Sequence, residues 1–262
     1  MASSSSHNVC LEVCIASLDD AFSAFANGAN RLELNSALSL GGLTPSIALT
    51  QRICQAVPIP VIAMVRPRHG GFCYSENDHY VMLDDVHALL AAGVSGIAFG
   101  ILLEDGSVDV NRCRAIIKAI GHGQAVFHRA FDVTPDPMRA LEEVIDLGIS
   151  RVMTSGQENM AEDGLPLIAQ LVEQARGRIE VLPASGIRPH NVKRILQQTC
   201  CTQVHASLRS AARDDSLGGL TKVRFSALPG DERLIDATDG AMVYAMRQAI
   251  DEHVAAKSKQ RD

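Results

Sequence analysis

The 262-residue sequence has no run of about 18 apolar residues, the length that a membrane-spanning helix requires. Its start, MASSSSHNV, lacks both the basic residues and the apolar stretch of a signal peptide. Lys and Arg form no block, and the formal net charge is -6, which argues against a nucleic-acid partner. These absences predict a soluble, cytoplasmic protein that has neither a membrane nor a nucleic acid as its partner.

Two groups of motifs are also missing. The seven cysteines are odd in number and form no CxxC pair, which predicts free thiols in a reducing compartment rather than a disulfide framework. Neither GxGxxG nor a Walker loop occurs, so we expect no nucleotide cofactor. Hydrophobic residues make up 47% of the chain and charged residues 21%, which is enough apolar material for a full core and excludes a disordered chain.

Short apolar runs recur along the chain, and each is followed by a segment of helical length. In one such segment, Met82, Val86, Leu89 and Leu90 recur at the spacing of a helix face. Strands that alternate with helices in this way are typical of a βα-repeat fold. The predicted strands are LEVCIAS (11–17), RLELN (31–35), IPVIAMVR (59–66), GIAFGIL (96–102), QAVFHRAF (124–131), RVMTS (151–155), IEVLPA (179–184) and QVHASL (203–208).

Several of these strands are preceded by the same local pattern. In GANRLEL, GVSGIAF and GISRVMT, a glycine that ends a helix comes before a turn and an apolar strand. The pattern spans the chain without a linker-like break, which predicts one α/β domain, a single (β/α)8 TIM barrel over residues 10–255. Residues 1–9 are expected to form a disordered tail and residues 256–262 a polar tail. The alternative fold is a doubly wound sheet.

Polar side chains interrupt the apolar strands at the end where a TIM barrel carries its active site. Because side chains alternate across a strand, Glu12 shares a face with Cys14, and His128 shares one with Asp132. Arg129 falls on the opposite face, which predicts a structural role. Burying several charged groups costs free energy, so their convergence at one place favours a functional site. For any single one of these residues, the alternative is a structural role in a Glu–Arg pair that joins two layers of the barrel. The candidate catalytic residues are Glu12, Glu33, His128, Asp132 and His205.

Cationic and small polar residues follow the same strands. Arg66 and Arg68 come at and just after the third strand, where a guanidinium can hold a carboxylate or phosphate through two hydrogen bonds. Backbone N–H groups in turns of small residues can cradle a phosphate, and ordinary helix capping is the alternative. The further substrate-binding candidates are Thr154, Ser155, Ser185, Gly186 and Ser207.

A set of motifs in this order resembles the CutC family, named for copper homeostasis. The resemblance covers residues 10–225 and implies a (β/α)8 barrel, a cytoplasmic setting, homo-oligomers and the binding or handling of copper, notably Cu(I). The motifs are LEVC (11–14), GANRLEL (28–34), GGLTPS (41–46), VRPRHGGFCYS (65–75), FHRAFD (127–132), RVMTSGQ (151–157), GLPLI (164–168) and VHAS (204–207).

This chain has only part of the metal site that the resemblance implies. Cys14 matches the family's cysteine in strand 1 and is the metal ligand that the resemblance implies, while Cys10 and Cys73 are weaker candidates. Where the family commonly has ELC in strand 2, this chain has ELN, with Asn35 in place of the second cysteine. Cu(I) selects thiolate or thioether ligands, so Asn35 halves the expected two-sulfur site.

The residues leave two functions open. The first is a Cu(I)-binding protein of copper homeostasis, a carrier or buffer, as the resemblance implies. The second is a TIM-barrel enzyme of the isomerase, epimerase or lyase type, which acts at the barrel mouth on a small anionic substrate, phosphorylated or not. In that case a divalent metal ion held by Glu12, Glu33 and His205 is the alternative to copper.

Overall fold

A computed structural model describes residues 9–217, 223–225 and 230–259 and confirms the predicted (β/α)8 barrel. Eight short parallel strands alternate with helices along the chain. The strands are β1 (Cys10–Ile15), β2 (Arg31–Leu34), β3 (Val61–Met64), β4 (Gly96–Phe99), β5 (Gln124–Phe127), β6 (Arg151–Thr154), β7 (Glu180–Pro183) and β8 (Gln203–Ala206). The helices are α1 (Leu18–Ala26), α2 (Ile47–Ala56), α3 (Glu76–Ala91), α4 (Val110–Ile120), α5 (Pro137–Asp146), α6 (Leu165–Ala175), α7 (Val192–Thr199) and α8 (Gly240–Lys259).

The strands pair in chain order around a ring. β1 pairs with both β2 and β8, and each later strand pairs with the next as far as β7. β7 and β8 lie in contact and complete the ring. The alternative of a doubly wound sheet is therefore wrong, since such a sheet reverses its strand order at a switch point and stays open.

Local sequence explains where the helices begin and end. The side chains of Ser17, Ser46, Ser75, Asp109 and Asp136 each accept a hydrogen bond from the backbone N–H three residues later, which caps a helix N-terminus. At the other end, the glycines of the repeated pattern adopt the positive φ that favours glycine after a helix. Gly28, Gly93 and Gly148 have φ values of 101°, 103° and 78°.

Apolar and charged side chains are unevenly distributed inside the barrel. Ile62, Ala98 and Val126, with Met64, form one small buried cluster inside β3, β4 and β5. A second cluster consists of Met153 of β6, Leu182 of β7 and Ala184 just after β7. The sector made by β8, β1 and β2 instead carries buried charged side chains, namely Glu12, Arg31, Glu33 and His205. The candidate site is built on this polar sector.

The chain after β8 adds a two-stranded antiparallel arm, β9 (Arg209–Arg213) and β10 (Leu234–Thr238), before α8. Asp20 at the start of α1 holds the base of this arm: its carboxylate accepts from Arg209 Nη1 (2.9 Å) and from the backbone N–H of Thr238 (2.7 Å). α8 then packs against α1 and α7.

The ends of the chain differ in part from the expected tails. Val9, placed in the N-terminal tail, is buried in the core, while residues 1–8 lie outside the described residues. α8 continues to Lys259, so residues 256–259 of the expected polar tail are helical, and residues 260–262 also lie outside the described part. Among the described residues, no helix is both long enough and apolar enough to cross a bilayer.

Candidate functional site

The C-terminal ends of the strands enclose a cavity of about 150 Å³. Side chains from β1, β2, β3, β6 and β8 and from the segments after β2, β3 and β5 form its walls. Polar and charged residues make up more than half of the lining: Cys14, Glu33, Asn35, Arg66, His128, Arg129 and His205. The apolar part consists of Leu38, Met64, Phe72 and Met153, with Gly41 beside them.

Three groups with metal-binding atoms meet at the wall made by β1, β2 and β8. Strand register places Cys14 beside Glu33. A sulfur, a carboxylate oxygen and an imidazole nitrogen of Cys14, Glu33 and His205 lie within 4.8 Å of one another, and all three side chains are buried. Asn35 Nδ2 donates to Glu33 Oε2 (2.9 Å) and to Cys14 Sγ (3.4 Å). These residues meet in the way that side-chain alternation predicts.

Two carboxylates flank His205. Its Nδ1 lies 2.8 Å from Glu12 Oε1, and its Nε2 lies 3.8 Å from Glu33 Oε2. Burial opposes protonation of the ring, but Glu33, Cys14 and Glu12 together raise the pKa of His205 well above its usual value. Burial also disfavours charge on Glu12, yet Arg31 and His205 lower the pKa of Glu12 to about 2. Glu12 is therefore the fixed negative charge that orients the imidazole.

Glu33 and Cys14 are shifted the other way. Burial, together with the nearby Glu12, raises the pKa of Glu33 despite the attraction of His205. Burial likewise raises the pKa of the Cys14 thiol. The wall thus combines the charged carboxylate of Glu12, beneath the cavity, with Glu33 and Cys14 at the cavity, both of which hold their protons more readily than usual.

Arg31 supports this wall and was missed by the sequence analysis. Its Nε donates to Glu12 Oε2, and its Nη2 donates to Gln203 Oε1 (2.6 Å). Glu12 does not line the cavity but lies beneath it. Its pairing with Arg31 is the structural Glu–Arg pair that the sequence analysis gave as the alternative to a catalytic role. The available signal was alternation, because Arg31 precedes Glu33 by two residues on the same face.

His128 lies at the opposite wall and is held by the turn that follows it. Its Nδ1 accepts a hydrogen bond from the backbone N–H of Ala130 (3.1 Å), while Nε2 is buried without a partner in the described part of the chain. Burial and the neighbouring Arg66 lower the pKa of His128 to about 3, so the ring is neutral. A Cβ on Gly100 would come within 2.6 Å of this ring, so glycine is needed there.

The two arginines that follow β3 have different positions. Arg66 is buried and lines the cavity, where its guanidinium donates to the carbonyl oxygens of Leu40 (3.0 Å), Gly42 (3.1 Å) and Gly70 (2.7 Å). Arg68 lies outside the cavity lining, where it pairs with Asp78 at 3.0 Å. Arg66 thus places a positive charge at the cavity, whereas Arg68 organises the loop.

The prediction that residues 124–131 form one strand is wrong. β5 ends at Phe127, His128 caps the next segment, and Arg129–Val133 form a 3-10 turn. Strand alternation does not extend into such a turn, and the expectation that Arg129 faces away from the site is wrong as well, because Arg129 lines the cavity. Its Nε pairs with Asp132 at 2.7 Å.

Asp132 does not line the cavity but ties two loops together. Its carboxylate accepts from the hydroxyl of Thr154 (2.6 Å), from the hydroxyl of Ser155 (2.9 Å) and from the backbone N–H groups of Ser155 (2.9 Å) and Gln157 (3.3 Å). The donors expected to cradle a substrate phosphate are thus used by the protein's own carboxylate. Asp132, Thr154 and Ser155 consequently have a visible structural role.

The remaining candidates lie away from the cavity lining. Ser185 donates to the carbonyl of Asn159 (2.7 Å), and neither Gly186 nor Ser207 lines the cavity. Cys10 is the first residue of β1, at the end of the strand remote from the cavity, and Cys73 is exposed in the loop after β3. All seven cysteines lie in the described part of the chain, and each is a free thiol there.

Comparison with known proteins gives the same family as the motifs. The sequence pattern of the CutC family matches residues 9–210. A human protein named copper homeostasis protein cutC homolog is 45% identical over 207 residues, which cover 79% of this chain and 76% of the human protein. A CutC family protein of Treponema denticola is 46% identical over 198 residues, which cover 76% of this chain and 80% of that protein.

Solved structures agree on the fold. The crystal structure of a CutC protein from Streptococcus agalactiae superposes with a TM-score of 0.73 at 29% identity, covering 75% of this chain and 97% of that one. Phosphoribosylanthranilate isomerase from Thermotoga maritima superposes with a TM-score of 0.55 at 15% identity, covering 93% of this chain and 99% of that one. At that identity the second likeness concerns the barrel alone.

Proposed function

Since the chain belongs to the CutC family, we propose that it is a cytoplasmic protein of copper homeostasis that binds Cu(I) in the barrel cavity. The observation that carries the proposal is the buried group of Cys14, Glu33 and His205, whose ligand atoms lie within 4.8 Å of one another. Free cysteines throughout the described chain are consistent with the reducing conditions that keep copper as Cu(I).

The donor atoms suit a soft cation in part. Cys14 supplies a thiolate once its proton is displaced, and the imidazole Nε2 of His205 supplies nitrogen. Glu12 accepts from Nδ1 of the same ring, an arrangement that fixes metal-binding histidines in many proteins. Glu33 offers only a hard oxygen, and Asn35 contributes a hydrogen bond to Cys14 instead of a second sulfur. We therefore expect a site of one sulfur and one nitrogen, with moderate affinity.

Competition with a chromogenic Cu(I) chelator under reducing conditions tests the proposal. Wild type should bind one Cu(I) per chain, and Cys14→Ser should weaken binding roughly tenfold or more, because sulfur is the ligand that Cu(I) prefers. Cys54→Ser, which changes a half-buried cysteine of α2 away from the cavity, should bind like wild type. Equal binding by Cys14→Ser and wild type would place copper elsewhere.

A second candidate function is proton-transfer catalysis in the same cavity. The observation that favours it is a pair of buried polar atoms without partners in the described chain, His128 Nε2 and Glu33 Oε1, on residues that line one cavity. A hydrogen-bond donor can polarise a substrate carbonyl while a carboxylate accepts a proton from the adjacent carbon. Such an enzyme would exchange that proton with deuterated solvent, which NMR detects, and Glu33→Gln should abolish the exchange while Cys14→Ser preserves it.

We also propose that the chain forms homo-oligomers, as the family resemblance implies. Exposed aromatic side chains support this: Phe22 and Phe25 on α1 and Tyr244 on α8, two helices that pack together. Sedimentation velocity should give a mass above that of one chain. A monomer at all concentrations would contradict the proposal.

A further inference from the structure

At one end of the cavity, a buried hydrogen-bond donor has no acceptor among the described residues. His128 Nδ1 accepts from the backbone N–H of Ala130 and therefore carries no proton itself. In the neutral ring the proton is then on Nε2, which is buried, unpartnered and on a residue that lines the cavity. The site thus presents a fixed N–H group to whatever binds there, and the lowered pKa of His128 keeps the ring in this state at neutral pH.

Arg66 gives the same end a positive charge. Its guanidinium is held by three backbone carbonyls, which fix its position but carry no net charge. In the part of the chain that the structure describes, Arg66 forms no salt bridge, although its side chain is buried. Phe72 contacts both residues: its ring centre lies 5.2 Å from Arg66 Cζ and 5.1 Å from the His128 ring centre. An uncompensated buried cation beside a free N–H donor favours an anionic acceptor.

The other end of the cavity has a different requirement. Glu33 uses Oε2 to accept from Asn35, and its Oε1 is buried without a partner in the described chain. A ligand hydroxyl satisfies such an oxygen in either protonation state of the carboxyl group, since a hydroxyl both donates and accepts. Met64, Phe72 and Met153 add apolar surface to the same lining.

The size of the cavity restricts the ligand further. Cavities that hold drug-sized molecules have volumes of roughly 300–1,000 Å³. The present cavity has about 150 Å³, which admits only a few carbon atoms between the two polar ends.

We propose that the cavity binds a short hydroxy acid, with its carboxylate against His128 Nε2 and Arg66 and its hydroxyl against Glu33. The inference deepens the second candidate function by naming its ligand class, and it does not require copper. A carboxylate and a hydroxyl on a molecule of two or three carbons match the groups that line the cavity.

Binding is tested on metal-free wild-type protein with glycolate and lactate as probes. The comparison compounds are acetate and propionate, which keep the carboxylate and lack the hydroxyl, and inorganic phosphate. At constant ionic strength, a hydroxy acid should bind roughly tenfold more tightly than its unsubstituted partner, the effect of about one additional buried hydrogen bond. Titration calorimetry measures the affinity, and the Nε2 resonance of His128 should shift as lactate or glycolate is added.

Two substitutions of His128 form a matched pair. In His128→Asn the amide oxygen can still accept from Ala130 N–H, but the N–H group directed at the cavity is lost. In His128→Gln the longer side chain places an amide N–H near the position of Nε2. We expect His128→Asn to lose hydroxy-acid binding roughly tenfold or more and His128→Gln to retain part of it. Cys54→Ser, away from the cavity, should bind the hydroxy acid like wild type, and the use of metal-free protein separates this inference from copper binding.

Three results would overturn the inference. The first is that neither hydroxy acid binds wild type. The second is that acetate, propionate or phosphate binds as tightly as the hydroxy acids. The third is binding that leaves the His128 resonance unmoved, a measurement on wild type that does not depend on whether any variant folds.

Discussion

At the scale of single residues, Asn35 sets the sulfur content of the site. Its amide lies 3.4 Å from Cys14 Sγ, at the position where the family resemblance implies a second cysteine. A thiolate there would stand beside the first one, and Cu(I) prefers two sulfur ligands to one. Asn35→Cys should therefore tighten Cu(I) binding by roughly tenfold or more, measured by chelator competition under reducing conditions.

The double variant supplies the control for this prediction. If the gain depends on a shared two-sulfur site, adding Cys14→Ala to Asn35→Cys should remove it. Asn35→Ser also removes the amide but adds no sulfur, and we expect no gain from it. A gain that survives the loss of Cys14 would mean that the new cysteine binds copper with some other ligand.

His128 should make the folded state less stable in mild acid. Burial and Arg66 lower its pKa to about 3 in the folded protein, whereas the imidazole of an unfolded chain has a pKa of about 6.5. Between these values the unfolded chain binds one more proton, so the stability that is present at neutral pH is lost as the pH falls, by at most about 1.4 kcal/mol per pH unit. Wild type should lose more stability than His128→Asn between about pH 7 and pH 5 in urea unfolding.

A surface histidine gives the matched control. His122→Asn changes an exposed side chain in the turn before β5, and it should show the same dependence on pH as wild type. If wild type and His128→Asn respond equally to acid, the folded protein protonates His128 as readily as the unfolded chain does.

At the scale of secondary-structure elements, the segment after β5 marks the limit of what the sequence predicts. Period-two alternation correctly brings Cys14, Glu33 and His205 together, because each lies within or beside a regular strand. The same rule fails at Arg129, where the backbone turns into a 3-10 helix. The sequence FHRAFD resembles an unbroken strand because Phe127 and Phe131 are both apolar. In the structure both side chains are buried, but Phe131 belongs to the 3-10 turn and not to a strand. Apolar spacing alone does not distinguish these two cases.

Asp132 is the residue that makes this turn part of the barrel mouth. It accepts hydrogen bonds from Thr154, Ser155 and Gln157 of the segment after β6. Asp132→Ala would leave these donors without an acceptor, and we expect a loss of about 3 kcal/mol in the free energy of unfolding. Amide hydrogen exchange at Ser155 and Gln157 should become faster than the loss of global stability explains. Exchange in β1 and β2 should change only as much as the loss of global stability requires.

Asp136 offers a comparison on the next element. It caps α5 by accepting from the backbone N–H of Arg139 (3.0 Å), a single exposed hydrogen bond. Asp136→Ala should cost about 1 kcal/mol, the usual effect of removing a helix cap. Equal losses from the two substitutions would mean that Asp132 acts as an ordinary turn residue and does not link the two loops.

At the scale of the whole molecule, the repeated glycine pattern and the eight apolar runs suffice to predict the closed barrel. What they do not predict is the uneven interior, where the sector of β8, β1 and β2 carries Glu12, Arg31, Glu33 and His205, and β6 adds the buried Arg151. Arg31 illustrates the reason. In the sequence, an arginine at the start of a strand looks like a residue of a solvent-exposed turn. Its burial is favourable only because it pairs with Glu12 and Gln203. Those partners lie 19 and 172 residues away in the chain, beyond the range of any local pattern.

The last helix lies outside the segment that the family pattern matches, yet it packs against the barrel with three fully buried side chains. The pattern ends at residue 210, whereas α8 buries Val243, Met246 and Ile250 completely against neighbouring elements. Burying each such side chain contributes about 1.5–3 kcal/mol. Arg247 of the same helix donates to the backbone carbonyl of Val9 (3.0 Å) and so also holds the start of β1. A chain that ends at Asp239 should lose on the order of 5 kcal/mol or more, which is comparable to the entire stability of many domains.

We therefore expect the chain of residues 1–239 to lose cooperative urea unfolding, monitored by circular dichroism. A chain of residues 1–256 is the matched control, because it retains every buried residue of α8, of which His253 is the last. The control should unfold at the same urea concentration as the full chain. Since β1 carries Cys14 and Glu12, loss of its anchor should abolish Cu(I) binding in the shorter chain as well. Cooperative unfolding of residues 1–239 would instead show that the ring of eight strands closes without its last helix.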